Sequence, residues 1–134
     1  MNNLSIPELT SHILRVTYQN NIGVNYLQLN LILYFFACRV REDNIKITYT
    51  ENSYFYKSKY GINNKYVMDT YRYYCSGIIL LEDSDIYLDS LQKYEEFLVS
   101  IIKLVQEDMF YLLDRVREND INYTKRKLNE KIYI

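Results

Sequence analysis

The stretch from Leu27 to Ala37 constrains the fold of this chain more than any other part of the sequence. Nine of its eleven residues are apolar. They recur at helical spacing on one side, as Leu27 and Leu31 do, and they fill the opposite side as well, as Leu29 and Ile32 do. A helix that is apolar nearly all round is typical of the centre of a domain, so this stretch predicts a buried central helix.

The composition indicates one folded domain. The chain has 134 residues, 49% of them hydrophobic and 25% charged, with only three glycines and one proline. This length is sufficient for one hydrophobic core, so we predict a single domain over residues 1–134. The sequence has no apolar run of about 20 residues and no leader-like segment, which favours a cytoplasmic protein without a membrane span.

Helix-capping signals define the first helical hairpin. Ser5, Pro7 and Glu8 have the spacing of a helix start and predict a helix over residues 7–18. Residues 20–23 read Asn-Asn-Ile-Gly and predict the turn that ends it. Asn25 and Gln28 then cap the central helix.

The pattern changes to strand-like alternation after the central helix. Residues 45–56 predict a two-stranded ribbon with its turn at residues 51–53. Gly61, Asn63 and Asn64 interrupt the ribbon, a short helix follows up to Gly77, and residues 78–81 predict a third short strand.

The C-terminal half is dominated by an amphipathic stripe from Tyr94 to Val116. Its apolar residues keep steps of three and four, which predicts one long helix or two helices broken near residues 106–108. Residues 124–134 are polar and basic, and we expect them to form a mobile end. The predicted fold is therefore mainly helical (α+β), a compact domain with a small antiparallel β element inserted after the buried central helix.

Two segments resemble a known family. Residues 27–36 read Leu-Gln-Leu-Asn-Leu-Ile-Leu-Tyr-Phe-Phe, and residues 59–61 read Lys-Tyr-Gly. In content and spacing they resemble the signature helix and the Lys-Tyr-Gly segment of the SocA-like or Panacea antitoxin family, which is also seen as phage-associated proteins. This chain has Ile62 and Asn63 where the family has Pro-Val.

The resemblance implies a function. Members of the family bind and neutralise a co-encoded toxin, and their known partners include alarmone-synthetase-like toxins. One branch acts as a proteolytic adaptor that delivers its toxin to a protease. The expected partner of this chain is therefore a cognate protein toxin.

The residue types that usually carry catalysis or metal binding form no recognisable motif. His12 is the only histidine and lies beside apolar residues on the first predicted helix. The carboxylates at residues 83–85 and 107–108 are typical of solvated or helix-capping positions. Cys38 and Cys75 lack metal-ligand spacing, and we expect both to be reduced and buried. We predict no catalytic residue, no metal and no cofactor.

The charge distribution points instead to binding surfaces. Residues 53–76 contain four basic residues, one acidic residue and seven tyrosines, whereas residues 82–120 contain eleven acidic and four basic residues. Basic residues interleaved with tyrosines are typical of protein interfaces and of surfaces that bind single-stranded nucleic acid. The predicted partner-binding residues are Tyr54, Tyr56, Lys57, Lys59, Tyr60, Tyr66 and Arg72. The acidic helix within residues 82–120 is a competing surface, suited to a basic partner, and the sequence does not choose between the two.

Three functions remain open at this point. The net charge of −1 favours a protein partner, and hence the antitoxin, because nucleic-acid modules usually carry a strong positive charge. A nucleic-acid-binding regulator is the first alternative. A small phage-encoded inhibitor of a host defence protein is the second.

Overall fold

The protein is mainly helical with a small antiparallel sheet, as the sequence predicted. The computed structural model describes residues 3–82 and 85–134. In chain order the elements are β1 Asn3–Ser5, α1 Ile6–Gln19, α2 Tyr26–Glu42, β2 Lys46–Thr48, β3 Phe55–Lys57, β4 Ile62–Asn64, α3 Lys65–Tyr71, two 3₁₀ turns at Arg72–Tyr74 and Asp89–Tyr94, α4 Glu95–Asn119, α5 Ile121–Thr124 and β5 Lys131–Ile132.

Capping boxes begin both helices of the N-terminal hairpin, as predicted. The Glu8 backbone N–H donates to Ser5 Oγ over 3.2 Å, and the Ser5 N–H donates to Glu8 Oε1 over 2.9 Å. Asn25 and Gln28 make the same reciprocal pair, with both distances at 2.9 Å. Each box satisfies two backbone donors that a helix start would otherwise leave unpaired.

Helix α2 is the central helix that the sequence predicted. Nine of its residues are buried, and it packs against α1, α3, α4 and β4. Leu27, in its first turn, is exposed over 46% of its surface. This exposed end of α2 forms part of the candidate site described below.

The predicted ribbon over residues 45–56 is wrong in its pairing. Strand β2 pairs in parallel with β1, which places Ile47 opposite Leu4, and both side chains are buried. Strand β3 pairs instead with β4, across a turn in which the Ser58 N–H donates to the Gly61 carbonyl oxygen over 2.8 Å. A burial partner for Ile47 on the N-terminal strand therefore decided the pairing, and local alternation could not show it.

Gly61 lies in the turn before β4, and residues 62–64 form β4, so this segment continues the sheet and does not break it. Asn64 ends β4 and also caps α3, because its Oδ1 accepts from the Tyr66 and Val67 N–H groups. The Asn64 N–H donates to Asn30 Oδ1 of α2 over 2.7 Å. The same asparagine thus serves a strand, a helix cap and a contact with the central helix.

The segment after α3 differs from the prediction. The helix ends at Tyr71 and a 3₁₀ turn follows, so the helix predicted up to Gly77 is shorter than expected. Residues 78–81 form no strand, which corrects the third predicted strand. Ile79 is buried and its N–H donates to the Val24 carbonyl oxygen over 2.9 Å, so this segment closes over the α1–α2 turn.

Helix α4 is kinked at Asp108, where φ is −153° and ψ is 74°. The Asp108 Oδ1 accepts from the Tyr111 N–H over 3.0 Å and so caps the second half of the helix. Of the two predicted arrangements, the broken helix is the observed one.

The C-terminal segment is packed against the sheet, in contrast to the mobile end that we expected. Ile132 of β5 pairs with Phe55 of β3 and has no exposed surface. The Lys57 Nζ donates to the carbonyl oxygens of Tyr123 and Arg126 over 3.1 and 3.0 Å. The polar composition of this segment did not predict its packing, because a single buried isoleucine and the backbone pairing of β5 hold it against the sheet.

Tyr34 joins the central helix to the C-terminal segment. Its hydroxyl donates to Asp120 Oδ2 over 2.6 Å and accepts from Asn122 Nδ2 over 3.1 Å. Burial is the main cause that raises the pKa of Tyr34 far above its usual value. Tyr34→Phe should lower the free energy of unfolding by about 1.5 kcal/mol, because it removes a buried hydrogen bond to a carboxylate.

Urea unfolding measures this effect. Tyr18→Phe is the matched control, since 62% of Tyr18 is exposed. Equal stabilities of the two variants would contradict a stabilising role of the Tyr34 hydroxyl.

Candidate binding groove

An apolar groove lies where three parts of the chain meet. The start of α2, the β3–β4 turn and the second half of α4 form its walls, and its volume is about 320 Å³. The groove is lined by Leu27, Asn30, Leu31, Ser58, Tyr60, Gly61, Ile62, Asn63, Met109, Phe110, Leu113 and Arg117.

Large apolar side chains at the groove are exposed to solvent. The exposed fractions are 71% for Phe110, 62% for Tyr60 and 46% for Leu27. A Cβ at Gly61 would lie 3.0 Å from the Leu113 side chain, so the glycine lets the turn approach α4 closely. Exposed apolar side chains gathered in one concave place are typical of a binding surface.

The outer face of the three-stranded sheet lies beside the groove. Strand register places Asn63, Tyr56 and Lys131 in one row across the sheet. The opposite face carries the row of Phe55, Asn64 and Ile132, which is fully buried. Asn63 belongs to both the groove and the outer row, so the two surfaces are continuous.

Aromatic and basic groups meet on this outer face. The Tyr54 and Tyr56 ring centroids are 6.1 Å apart, and the Lys131 Nζ lies 4.6 Å from the Tyr54 centroid. Tyr54 and Tyr56 are half-buried, whereas Lys131 is exposed. The arrangement is a small tyrosine surface with a cation over one ring.

The predicted partner-binding residues fall into separate places. Tyr60 lines the groove and Lys59 is exposed beside it, with its Nζ 5.4 Å from the Tyr60 centroid. Lys57 is half-buried, and its ammonium binds carbonyl oxygens and lies 4.2 Å from the centroid of Tyr123. Its contacts stabilise the fold, so charge reversal at Lys57 would disturb the C-terminal segment.

Tyr66 and Arg72 lie outside the groove lining. Tyr66 is half-buried on α3 and contacts Tyr71 with a centroid distance of 6.4 Å. Burial raises the pKa of Tyr66 above its usual value. Arg72 is exposed in the turn that follows α3.

Sequence reasoning missed the residues that α4 and β5 contribute. Met109 and Leu113 belonged to the apolar stripe, and Lys131 lies far from Tyr54 along the chain. Phe110 was the available signal, because this large apolar residue lies off the stripe that α4 buries.

His12 and Asp85, which are candidates for catalysis or metal binding from the sequence alone, are used within the fold. The buried His12 accepts the Leu88 N–H at Nδ1 over 2.9 Å. Asp85 is buried, and its carboxylate accepts from Ser11 Oγ and the Glu82 N–H, whereas residues 83 and 84 lie outside the described part. Cys38 is half-buried and burial raises its pKa to about 11. Cys75 is exposed, which corrects our prediction; it directly follows the 3₁₀ turn at Arg72–Tyr74 and has a positive φ of 56°.

Over residues 3–82 and 85–134, no three His, Cys, Asp or Glu side chains are grouped so that they could hold a metal ion. The helices within these ranges are all too short or too polar to cross a membrane. Comparison of the chain with protein-family models, curated proteins and solved structures found no match.

Proposed function

We propose that this protein is a non-catalytic, cytoplasmic antitoxin that binds a co-encoded protein toxin and neutralises it by direct contact. The observation that carries the proposal is the apolar groove with exposed Phe110, Tyr60 and Leu27. Aromatic side chains beside a concave surface are typical anchors of protein interfaces.

The resemblance to Panacea antitoxins also supports the proposal. It rests on residues 27–36 and 59–61, which are far apart in the sequence. Leu27 and Leu31 from the first segment and Tyr60 and Gly61 from the second all line the groove. The fold thus brings both family-like segments to one surface.

Co-expression with the adjacent open reading frame tests the proposal. The neighbour should stop growth when expressed alone, and this chain should restore growth and co-purify with it. Phe110→Ser should weaken the complex at least tenfold and abolish rescue, because it removes an exposed aromatic anchor without opening the core. The affinity is measured by titration calorimetry with the purified neighbour.

Tyr18→Ser is the matched control, since Tyr18 is 62% exposed and lies outside the groove. This variant should rescue growth as the unchanged chain does. Full rescue by Phe110→Ser would contradict the groove as the contact surface, and a harmless neighbour without a complex would contradict the antitoxin assignment.

A second candidate function is suggested by the outer sheet face. Tyr54, Tyr56 and Lys131 together offer stacking and phosphate contact to single-stranded nucleic acid. Tight oligonucleotide binding that falls steeply with salt would favour this regulator function. A phage-encoded inhibitor of a host defence protein would use the groove as an antitoxin does, and the identity of the co-purified partner separates the two.

A further inference from the structure

We propose that the groove holds an amphipathic helix of the partner, with acidic residues beside its apolar stripe. This inference rests on the proposed function and deepens it, because it names the chemistry of the bound segment. It combines the shape of the groove walls, the state of the nearest strand edge and the distribution of charge.

Two groove walls have the geometry that receives a helix. Leu27, which is exposed, and Leu31, which is buried, are four residues apart on α2, and the half-buried Met109 and Leu113 are four residues apart on α4. Residues at this spacing form a ridge on a helix surface, and a third helix packs its own side chains between two such ridges. Binding of an amphipathic helix in a groove is a common mode of protein recognition.

Addition of a partner strand is much less favoured at this place. In the sheet order β4-β3-β5, strand β4 has its free edge toward α2. The Asn64 N–H at that edge already donates to Asn30 Oδ1 over 2.7 Å. A strand of three residues with this donor occupied offers little backbone for pairing.

The charge beside the groove is positive on the side of the sheet. Among the described residues, Lys59 and Lys131 are exposed and have no carboxylate oxygen within 4 Å. Lys59 adjoins Tyr60 in the groove wall, and Lys131 lies two strands from Asn63, which is about 10 Å. Carboxylates on the partner would complement these lysines.

The opposite wall has little net charge. Arg117 lines the groove and forms an ion pair with Asp114, which is one turn away on α4. Asp108 uses one carboxylate oxygen to cap the Tyr111 N–H. The positive side of the groove is therefore the sheet side, where an acidic flank of the bound helix would lie.

Three labelled peptides of about five helical turns test the inference with the full chain. The first has an apolar stripe of Leu and Phe with Glu at the flanking positions. The second has Lys in place of each Glu, and the third keeps Glu but has Ala throughout the stripe. Fluorescence anisotropy at about 0.15 M salt gives each dissociation constant.

The first peptide should bind at least tenfold more tightly than either of the others. In the double variant Lys59→Glu and Lys131→Glu, the first peptide should bind less than threefold more tightly than the Lys peptide. Lys103→Glu is the matched control, because Lys103 is exposed on the first half of α4 outside the groove lining, and it should leave the preference unchanged.

Several results would overturn the inference. Equal binding of the Glu and Lys peptides would refute the acidic flank, and equal binding of the Ala peptide would refute the apolar anchor. Absence of binding by all three would refute the helix. A single-stranded oligonucleotide that displaced the first peptide at equal concentration would assign the surface to nucleic acid.

The result is independent of the co-expression test. If the neighbour is neutralised through Phe110 but the peptides show no preference, the antitoxin function stands and the acidic helix fails. If the neighbour is harmless and the first peptide binds as expected, the groove chemistry stands and the antitoxin function fails.

Discussion

Lowering the pH from 6.5 to 4 should reduce the free energy of unfolding by about 3 kcal/mol through His12 alone. Burial lowers the pKa of His12 to about 4 from its usual 6.5, although the negative charge of Glu95 opposes the shift. In the unfolded chain His12 binds its proton near pH 6.5, whereas in the folded chain it binds only near pH 4. The contribution of His12 to the free energy of unfolding is therefore fully present above pH 6.5 and is lost as the pH falls toward 4.

The surroundings of His12 explain why the charged form is disfavoured. Its side chain has no exposed surface, and its Nδ1 accepts the Leu88 N–H, so a proton there would face another donor. The ring packs between Phe36 and Tyr87, with centroid distances of 6.0 and 4.6 Å. The Nε2 atom has no hydrogen-bond partner among the described residues, so no acceptor compensates a charge.

Urea unfolding followed by circular dichroism between pH 7 and pH 4 measures the loss. Exposed carboxylates titrate in the same range, so His12→Asn serves as the control: the asparagine oxygen can accept the Leu88 N–H but does not titrate. The unchanged chain should lose about 3 kcal/mol more than His12→Asn over this interval. Parallel pH profiles would show that His12 does not govern acid stability.

Local signals explain the parts of the fold that the sequence predicted. The two capping boxes and the apolar run of α2 depend on residues within one or two turns of each other, and the structure confirms them. The break of α4 was one of two predicted arrangements, because the stripe does not show whether Asp108 continues the helix or caps a new one.

The pairings of β1 with β2 and of β3 with β5 depended on partners that no local pattern identifies. Ile47 of β2 lies opposite Leu4 of β1, and Phe55 of β3 lies opposite Ile132 of β5. Each of these strands therefore pairs with a segment more than 40 residues away along the chain. Short strands of two or three residues also carry little alternation. The predicted ribbon failed because its two halves each found a different partner.

The candidate site likewise combines residues that the local sequence indicated with residues that only the fold brings together. The sequence singled out Lys59 and Tyr60 by their basic-aromatic composition, and Tyr60 lines the groove. It did not single out Phe110, although this residue lies off the stripe that α4 buries, and it could not supply Lys131, which reaches Tyr54 only through strand pairing. A candidate groove built from three distant segments becomes visible only in the folded chain.

Ile132→Ala should lower the free energy of unfolding by about 3 kcal/mol, which is a large effect for a residue so close to the end of the sequence. Ile132 has no exposed surface and pairs with the equally buried Phe55. Removing its side chain creates a cavity under the sheet and weakens the contact that holds β5. A freely moving end would lose almost nothing, so the variant distinguishes a docked segment from a mobile one.

Leu128→Ala is the matched control, since Leu128 is in the same segment but 61% exposed. This substitution should lower the free energy of unfolding by less than about 0.5 kcal/mol. Urea unfolding at pH 7 measures both variants, and the dependence on urea should keep its slope if only stability changes. Equal stabilities of Ile132→Ala and Leu128→Ala would mean that β5 is not held in solution, and Lys131 would then lose its fixed position beside Tyr54 and the groove.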